Sequence, residues 1–444
     1  MLYDNKNPQN SRHYKVVRLI LIFLCLSAFG PYVLPNFGLR VEHFLIYGFL
    51  PVYILTRLGV SPNLTIPGAS RILIFLFLAE TIWITIVSFL SEGKGQFLQI
   101  FAACDNVFQP VILLLAGSCL VCNLASPEKK QILTTFLSTI IALLSANAIL
   151  SLASVYFELF PLLKYFYGQG ALHSQAVAVR ASQMGRYTGI FNQPLEAGLA
   201  YSVGLLAWVY LACIAPRIKI SGWIGLLLLF IGGTLSVSKV FVVGGVPLAA
   251  VLWMWLFVSA FRIRPSTVIG LLLTAAFTAF GLFLLSKHWF GFRYWARLFD
   301  LEHMSNAGII ETYTAGRFGA ENTFLKSLFY EVWKNSPVWG FGAPINSAVD
   351  NAYIEFFYYG GSVGLGIYLG ALVIIGVASL HGIKHNSSLG KYLFGMWVLI
   401  VLGGLGTPTL TLNRASILIW GVFIIGFSIL TESKRSTLQT VAKP

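Results

Sequence analysis

Residues 347–366 read SAVDNAYIEFFYYGGSVGLG, and the apolar run that begins inside them continues to residue 380. Asp350, Asn351 and Glu355 stand at its mouth, and Gly360, Gly361, Gly364 and Gly366 follow. A bilayer core about 30 Å thick needs about 20 apolar residues of helix to cross it. The run meets that length, so it reads as a membrane-spanning helix with a costly carboxylate at its entrance.

Working outward from this stretch, the same pattern recurs along the chain. Apolar segments lie near 17–35, 42–59, 71–90, 97–123, 131–161, 190–214, 220–237, 240–260, 266–286, 351–380, 392–407 and 414–431. The 444 residues are 57% hydrophobic and only 10% charged, too few charges to cover a soluble domain of this size. The fold expected is an all-α polytopic membrane protein: one transmembrane domain over 1–444, about twelve helices, and a long helical loop between spans nine and ten. Lys15 and Arg18 precede an apolar run too long for the core of a cleaved signal. Cys25, Cys104, Cys119, Cys122 and Cys213 all fall within or at the ends of apolar segments. That placement suits packing and supports neither a disulfide framework nor a zinc site.

The net charge of +14 follows topology. One set of short loops and both termini collects Lys6, Arg12, Lys15, Arg18, Lys129, Lys130, Arg217, Lys219 and eight further basic residues beside Arg264, 17 of the 30 in all. Positive charge concentrates on the cytoplasmic side. Both termini are therefore expected inside, and a nucleic-acid partner is not. Short inner loops leave no room for an ATPase.

Two outer segments are long, 162–189 and 287–350. In the second, ENTFLKSLFYEVWKNSP (321–337) has the spacing of an amphipathic helix, with Asn322 or Thr323 at its start and Asn335-Ser336-Pro337 at its end. KHWFGFRYWARLFDLEH (287–303) sets Arg293 and Arg297 four apart. It reads either as an interfacial aromatic belt with snorkelling arginines or as a surface for lipid phosphate and sugar rings. Glu196 opens the sixth span, where it suits the helix dipole. Lys239 lies in a tight outer turn, and Arg40 and Arg414 read as interfacial anchors. Glu42 and His43 fall at the outer interface. Glu80 and Asp105 lie deeper, either as functional groups or as a hydrogen-bonded pair. No internal repeat and no midplane chain of ionisable groups of the transporter kind is evident. Polar groups gather on the outer side instead: Arg186, Glu196, Lys239, Arg317, Asp350 and Glu355.

Three stretches together resemble the O-antigen polymerase and O-antigen ligase superfamily. GRYTGIFNQPLEAG (185–198) is similar to its Arg-x-x-Gly-x-x-x-x-Pro-x-x-x-Gly pattern, and SVSKVFVVGG (236–245) to its Ser-Arg/Lys hairpin. Gly316-Arg317, then Trp333, NSPVWGFG (335–342) and DNAYIEFFYYGGSVGL (350–365) resemble its signature. That signature has Gly-Arg, an amphipathic helix, Pro-x-x-Gly-x-Gly and a His-Asn or Asp-Asn opening a span. The resemblance covers about residues 180–380. It implies a glycosyltransferase of the bacterial inner membrane with its site facing the periplasm. Undecaprenyl-pyrophosphate-linked saccharides would be donor and acceptor. A flippase and a chain-length regulator would be partners. Ligases usually carry His where this chain has Asp350, which favours the polymerase; a ligase moving glycan to lipid A core is the alternative, as is an exporter of lipid-linked saccharide.

Such a transfer needs cations for the departing pyrophosphate and an acceptor for the hydroxyl proton. Arg186 and Arg317 suit the first and Asp350 the second, with Glu196 or Glu355 as substitutes. Asp350 also suits a helix cap. Lys239, Glu196, Asn351, Glu355, Arg293 and Arg297 are the expected substrate-binding residues. Asp300-x-Glu302-His303 could hold a divalent cation, but cationic side chains can do the same electrostatic work, so no metal and no cofactor is expected. The glycines after residue 359 read as a surface for close helix packing or room for a lipid tail.

Overall fold

The computed structural model describes residues 12–34, 39–60, 66–91, 97–167, 172–215, 217–259, 265–286, 288–289, 291–293, 295, 323–343, 349–384 and 387–441. Apart from one antiparallel ribbon, β1 (Tyr32–Leu34) with β2 (Leu39–Arg40), the regular structure of the described residues is helical. In chain order the helices are α1 (Arg12–Ser27), α2 (Val41–His43), α3 (Leu50–Val60), α4 (Gly68–Leu90), α5 (Phe97–Val121), α6 (Ser126–Tyr156), α7 (Phe160–Leu163), α8 (Leu172–Gln183), α9 (Pro194–Ile214), α10 (Ile220–Leu235), α11 (Val246–Ser259), α12 (Pro265–Ser286), α13 (Thr323–Asn335), α14 (Ala352–Lys384), α15 (Ser388–Gly404) and α16 (Asn413–Val441). Wider π-helical turns at Phe44–Phe49 and Val240–Gly245 lead into α3 and α11.

Among the described residues, seven helical stretches are long and apolar enough to cross a membrane. They are α4, Ala103–Val121 of α5, α6, α9, Val240–Phe257, α14 and Arg414–Glu432 of α16. Helices α10 and α15 and the stretch Gly270–Gly281 of α12 are apolar but shorter. The chain is an all-α, membrane-embedded protein. Large apolar side chains such as Phe75 and Leu90 of α4 and Phe277, Phe280 and Phe283 of α12 stand exposed. Acyl chains cover such a belt at no hydration cost; water would not.

Helices α9 and α16 form the centre. Helix α9 packs against α6, α10, α11, α15 and α16. Its small residues permit this, because helix axes approach only where side chains are short. At Gly204 an added methyl would come within 2.7 Å of Leu144 on α6 and 2.8 Å of Leu229 on α10.

Helix α14 is not one rod. Gly361 has φ 62° and ψ −153°, a conformation open essentially to glycine alone. The loop 336–342 fills the break. Phe341 and Gly342 donate their backbone N–H groups to the carbonyls of Tyr358 (2.7 Å) and Tyr359 (3.0 Å), and the Ser362 N–H reaches the Pro337 carbonyl (2.8 Å). Trp83 of α4 gives its indole N–H to the Gly360 carbonyl (2.9 Å) and stacks on Trp339 at 4.7 Å. The Tyr358, Tyr359 and Gly360 carbonyls and the Ser362 N–H at the break are thus satisfied inside the protein, as a membrane interior requires. The glycine expectation holds in part: Gly360, Gly361 and Gly364 are in close contact with other residues, whereas Gly366 has nothing within 4 Å of an added Cβ.

Helix α13 has the expected position. Its Leu325, Leu328 and Val332 turn inward and pack with Val349, Ile354 and Tyr358 near the start of α14. Phe324, Phe329, Tyr330 and Trp333 stay exposed on its other side.

Candidate functional site

The loop after α8 and the turn after α10 are built as one unit. Gly185 (φ 71°) and Gly189 (φ 63°) take left-handed turns that reverse the chain twice within five residues. Between them the Arg186 N–H bonds to the Ala181 carbonyl (2.8 Å), and the Tyr187 N–H to the Leu235 carbonyl (2.9 Å). Asn147, projecting from α6, holds the same loop: its Nδ2 donates to the Thr188 carbonyl (3.1 Å) and its Oδ1 accepts from the Ile190 N–H (2.9 Å). Burial pushes the Tyr187 phenol above its ordinary pKa, so it stays neutral.

The turn Ser236–Lys239 contains the strained residue Val237, whose φ is 48°. A β-branched side chain is rare there and costs of order 1–3 kcal/mol. Its carbonyl accepts the Arg186 guanidinium Nη2 at 3.1 Å. Lys239, half-buried, follows directly. On the other side Trp289 gives its indole N–H to the Gly185 carbonyl (2.6 Å) and Trp295 to the Thr234 carbonyl (3.0 Å). Arg293, exposed, lies between those two anchors. Arg186, Lys239 and Arg293 therefore stand on three segments that these bonds tie together. Arg297 and Arg317 lie outside the described residues, as does the Asp300–His303 group.

The acidic end is contiguous with this assembly through α15. Val240 approaches Gly403, Tyr353 approaches Gly404, and the Asn351 amide donates to the Leu405 carbonyl at 3.3 Å. Asn351, not Asp350, caps α14: its Oδ1 accepts the Ile354 N–H at 3.1 Å and its carbonyl accepts the Glu355 N–H at 3.0 Å. The expectation that Asp350 is the cap is corrected. The helix starts one residue later, which leaves the Asp350 carboxylate, half-buried, just outside it. Glu355 faces the Tyr359 hydroxyl one turn on and lies near enough to Asp350 to feel its charge.

Glu196 sits beneath this surface. It is 1% exposed. Its two oxygens accept the backbone N–H groups of Asn192 and Arg414, each at 3.2 Å. These bonds fix it as an anchor of the α9 start.

Arg40 and Arg414, expected at the interface, are both buried. The Arg414 guanidinium donates to the carbonyls of Ile190, Gly30 (2.9 Å) and Phe166 (2.9 Å). Arg40 pairs with Glu42 at 2.8 Å, and both guanidinium groups lie within 6 Å of the Tyr32 ring, at 5.9 and 5.8 Å. Burial works against the Arg40 charge, but Glu42, Tyr32, Glu196 and Asp105 outweigh it and hold its pKa above the ordinary value. His43 reaches Asp105 at 3.4 Å. Glu42 and His43 are thus interior residues, and Asp105 partners His43 rather than Glu80. An Arg-Val-Glu-His run at the start of a span was a visible sign of such a cluster. Nothing local marked Asn147, and Trp289 was visible only as one of the aromatics of 287–303.

No protein-family model matches the chain, and no curated protein matches it.

Proposed function

We propose that this chain is a polysaccharide polymerase of the O-antigen type, a twelve-span protein of the bacterial inner membrane with its site facing the periplasm. The reading rests on the sequence resemblance. The observation that supports it most is the assembly in which Arg186 is tied to the Val237 turn beside Lys239 and Arg293, one helix end away from Asp350. Such an arrangement suits a lipid pyrophosphate at the membrane edge: a guanidinium offers two parallel N–H groups to phosphate oxygens, and further cations add field.

In the proposed step, a hydroxyl oxygen of the acceptor saccharide attacks the anomeric carbon of the donor. Its proton passes to the Asp350 carboxylate. The bond from that carbon to the pyrophosphate oxygen breaks, and the electron pair leaves with the polyprenyl pyrophosphate, whose charge Arg186, Lys239 and Arg317 stabilise. One displacement inverts the anomeric centre. Asn351 and Glu355 orient sugar hydroxyls, and Arg293 and Arg297 meet phosphate at the membrane surface. No metal enters this step. A flippase would deliver the donor, and a chain-length regulator would end the growth.

The test is incubation of pure protein with a polyprenyl-pyrophosphate oligosaccharide. Longer lipid-linked chains are expected, with Arg186→Ala and Arg317→Ala each losing about a hundredfold or more in rate. Full activity in both variants would overturn the assignment of the cations. Chains appearing only when lipid A core is supplied would make the protein a ligase. The broken α14 favours a second reading, an exporter of lipid-linked saccharide, since discontinuous helices line many transporter sites. Movement of the lipid across vesicles with no new glycosidic bond would decide for it.

A further inference from the structure

Glu80 is the least explained acid among the described residues. It stands near the middle of α4, roughly 18 Å from one end and roughly 15 Å from the other at a rise of 1.5 Å per residue. It is 1% exposed, and neither carboxylate oxygen has a hydrogen-bond partner among the described residues. The carboxylate presses against the broken helix: an added methyl at Gly364 would lie 2.9 Å from Oε1 and 3.0 Å from the Phe356 carbonyl. Leu76, Phe77, Phe356, Ile367, Tyr368 and Ala371 line a narrow space beside it that has no room for a water molecule.

The groups that face it from the neighbouring helices offer no counter-charge. On α14, the Tyr368 hydroxyl is neutral, lies near Thr409 and makes no hydrogen bond among the described residues, and Glu355 faces Tyr359. On α5, Cys104 meets Thr85 and Asp105 meets His43. On α16, the neighbour at this level is Trp420, edge-on to Phe77 at 5.3 Å. An ionised carboxylate without water, donor or cation is strongly disfavoured in such a place. A metal ion needs several oxygens and more room. A proton is the ligand that fits without moving any side chain.

Position links this acid to the break. Trp83, three residues on, lies on the same face of α4 and holds both the Gly360 carbonyl and the Trp339 ring. Water drawn to an ionised Glu80 would enter the contact that Trp83 closes. We propose that Glu80 is a membrane-buried proton-binding site that keeps the loop 336–342 seated in the break of α14, and that loss of its proton hydrates the contact and unseats the loop. This does not depend on the glycosyl-transfer reading.

The experiment uses the full chain in membrane vesicles and dicyclohexylcarbodiimide, which adds to protonated carboxyl groups in apolar surroundings and leaves a stable N-acylurea. Peptide mass spectrometry should find the adduct on Glu80, forming about tenfold more slowly for each pH unit above its titration. Hydrogen exchange supplies the second arm. Beyond the ordinary acceleration with pH, the Phe341 and Gly342 amides should lose at least about tenfold in protection as the adduct rate falls, and Glu80→Gln, which mimics the neutral acid, should keep it. Because the wild-type arm needs no variant, a poorly folding mutant leaves the test intact. A Glu80 that never reacts between about pH 5 and about pH 9, or loop protection that does not follow its titration, would overturn the proposal.

Discussion

Arg414 joins four segments far apart in sequence. Its guanidinium meets the carbonyls of Gly30, Phe166 and Ile190, while its backbone N–H meets Glu196. Arg414→Ala removes the side chain that satisfies those carbonyls and leaves Glu196 without its nearest buried cation, so it should cost about 3–5 kcal/mol. Thermal unfolding of the detergent-solubilised protein reads this as a large drop in Tm. Arg414→Lys keeps the charge but not the fork and should recover only part; an unchanged Tm in Arg414→Ala would show the network to be inert. Asn351 and Asp350 separate capping from chemistry. Asn351→Ala should cost about 1–2 kcal/mol through the lost cap. Asp350→Asn should cost less than that and lower polymer formation about a hundredfold or more. Equal destabilisation by the two would return Asp350 to a structural role. At this scale the sequence was half legible. Arg186, Lys239 and Asp350 stood out because each interrupts an end of an apolar segment. Arg40 and Arg414 did so too, yet nothing local told an exposed interfacial arginine from one folded inward onto carbonyls of three other segments.

Helix α14 shows what hydropathy hides. Its 33 residues read as a continuous apolar run, and the break at Gly361 is invisible there, because the groups that heal it come from 336–342, upstream of the helix. The Gly-Gly pair was legible only as small residues. Gly361→Ala must place a side chain at φ 62° against the Val338 backbone, so it should cost about 1–3 kcal/mol or more and lower Tm. Gly366→Ala, with nothing within 4 Å, is the control and should equal or slightly exceed the wild type. If both behave alike, the break is not a fixed feature of the fold. Helix α13 was better predicted, since its spacing of Leu325, Leu328 and Val332 is a local property.

For the whole molecule, composition and apolar periodicity announced an all-α membrane protein, and helical residues lie on all twelve apolar segments, seven of them on stretches that meet the length and composition of a span. Orientation rests on charge asymmetry and has its own test. An impermeant maleimide should label Ser327→Cys on exposed α13 in cells with a permeable outer envelope, and Lys219→Cys only after the inner membrane is opened; the reverse pattern would invert the topology. The central claim is glycosyl transfer between lipid-linked saccharides. Mass spectrometry of the products from pure protein and one defined polyprenyl-pyrophosphate oligosaccharide tests it most directly. The account predicts lipid-linked products that grow by whole repeat units, with one polyprenyl pyrophosphate released per bond and the linkage inverted. A donor that stays unchanged in the presence of folded protein, or that only crosses the bilayer, would contradict it.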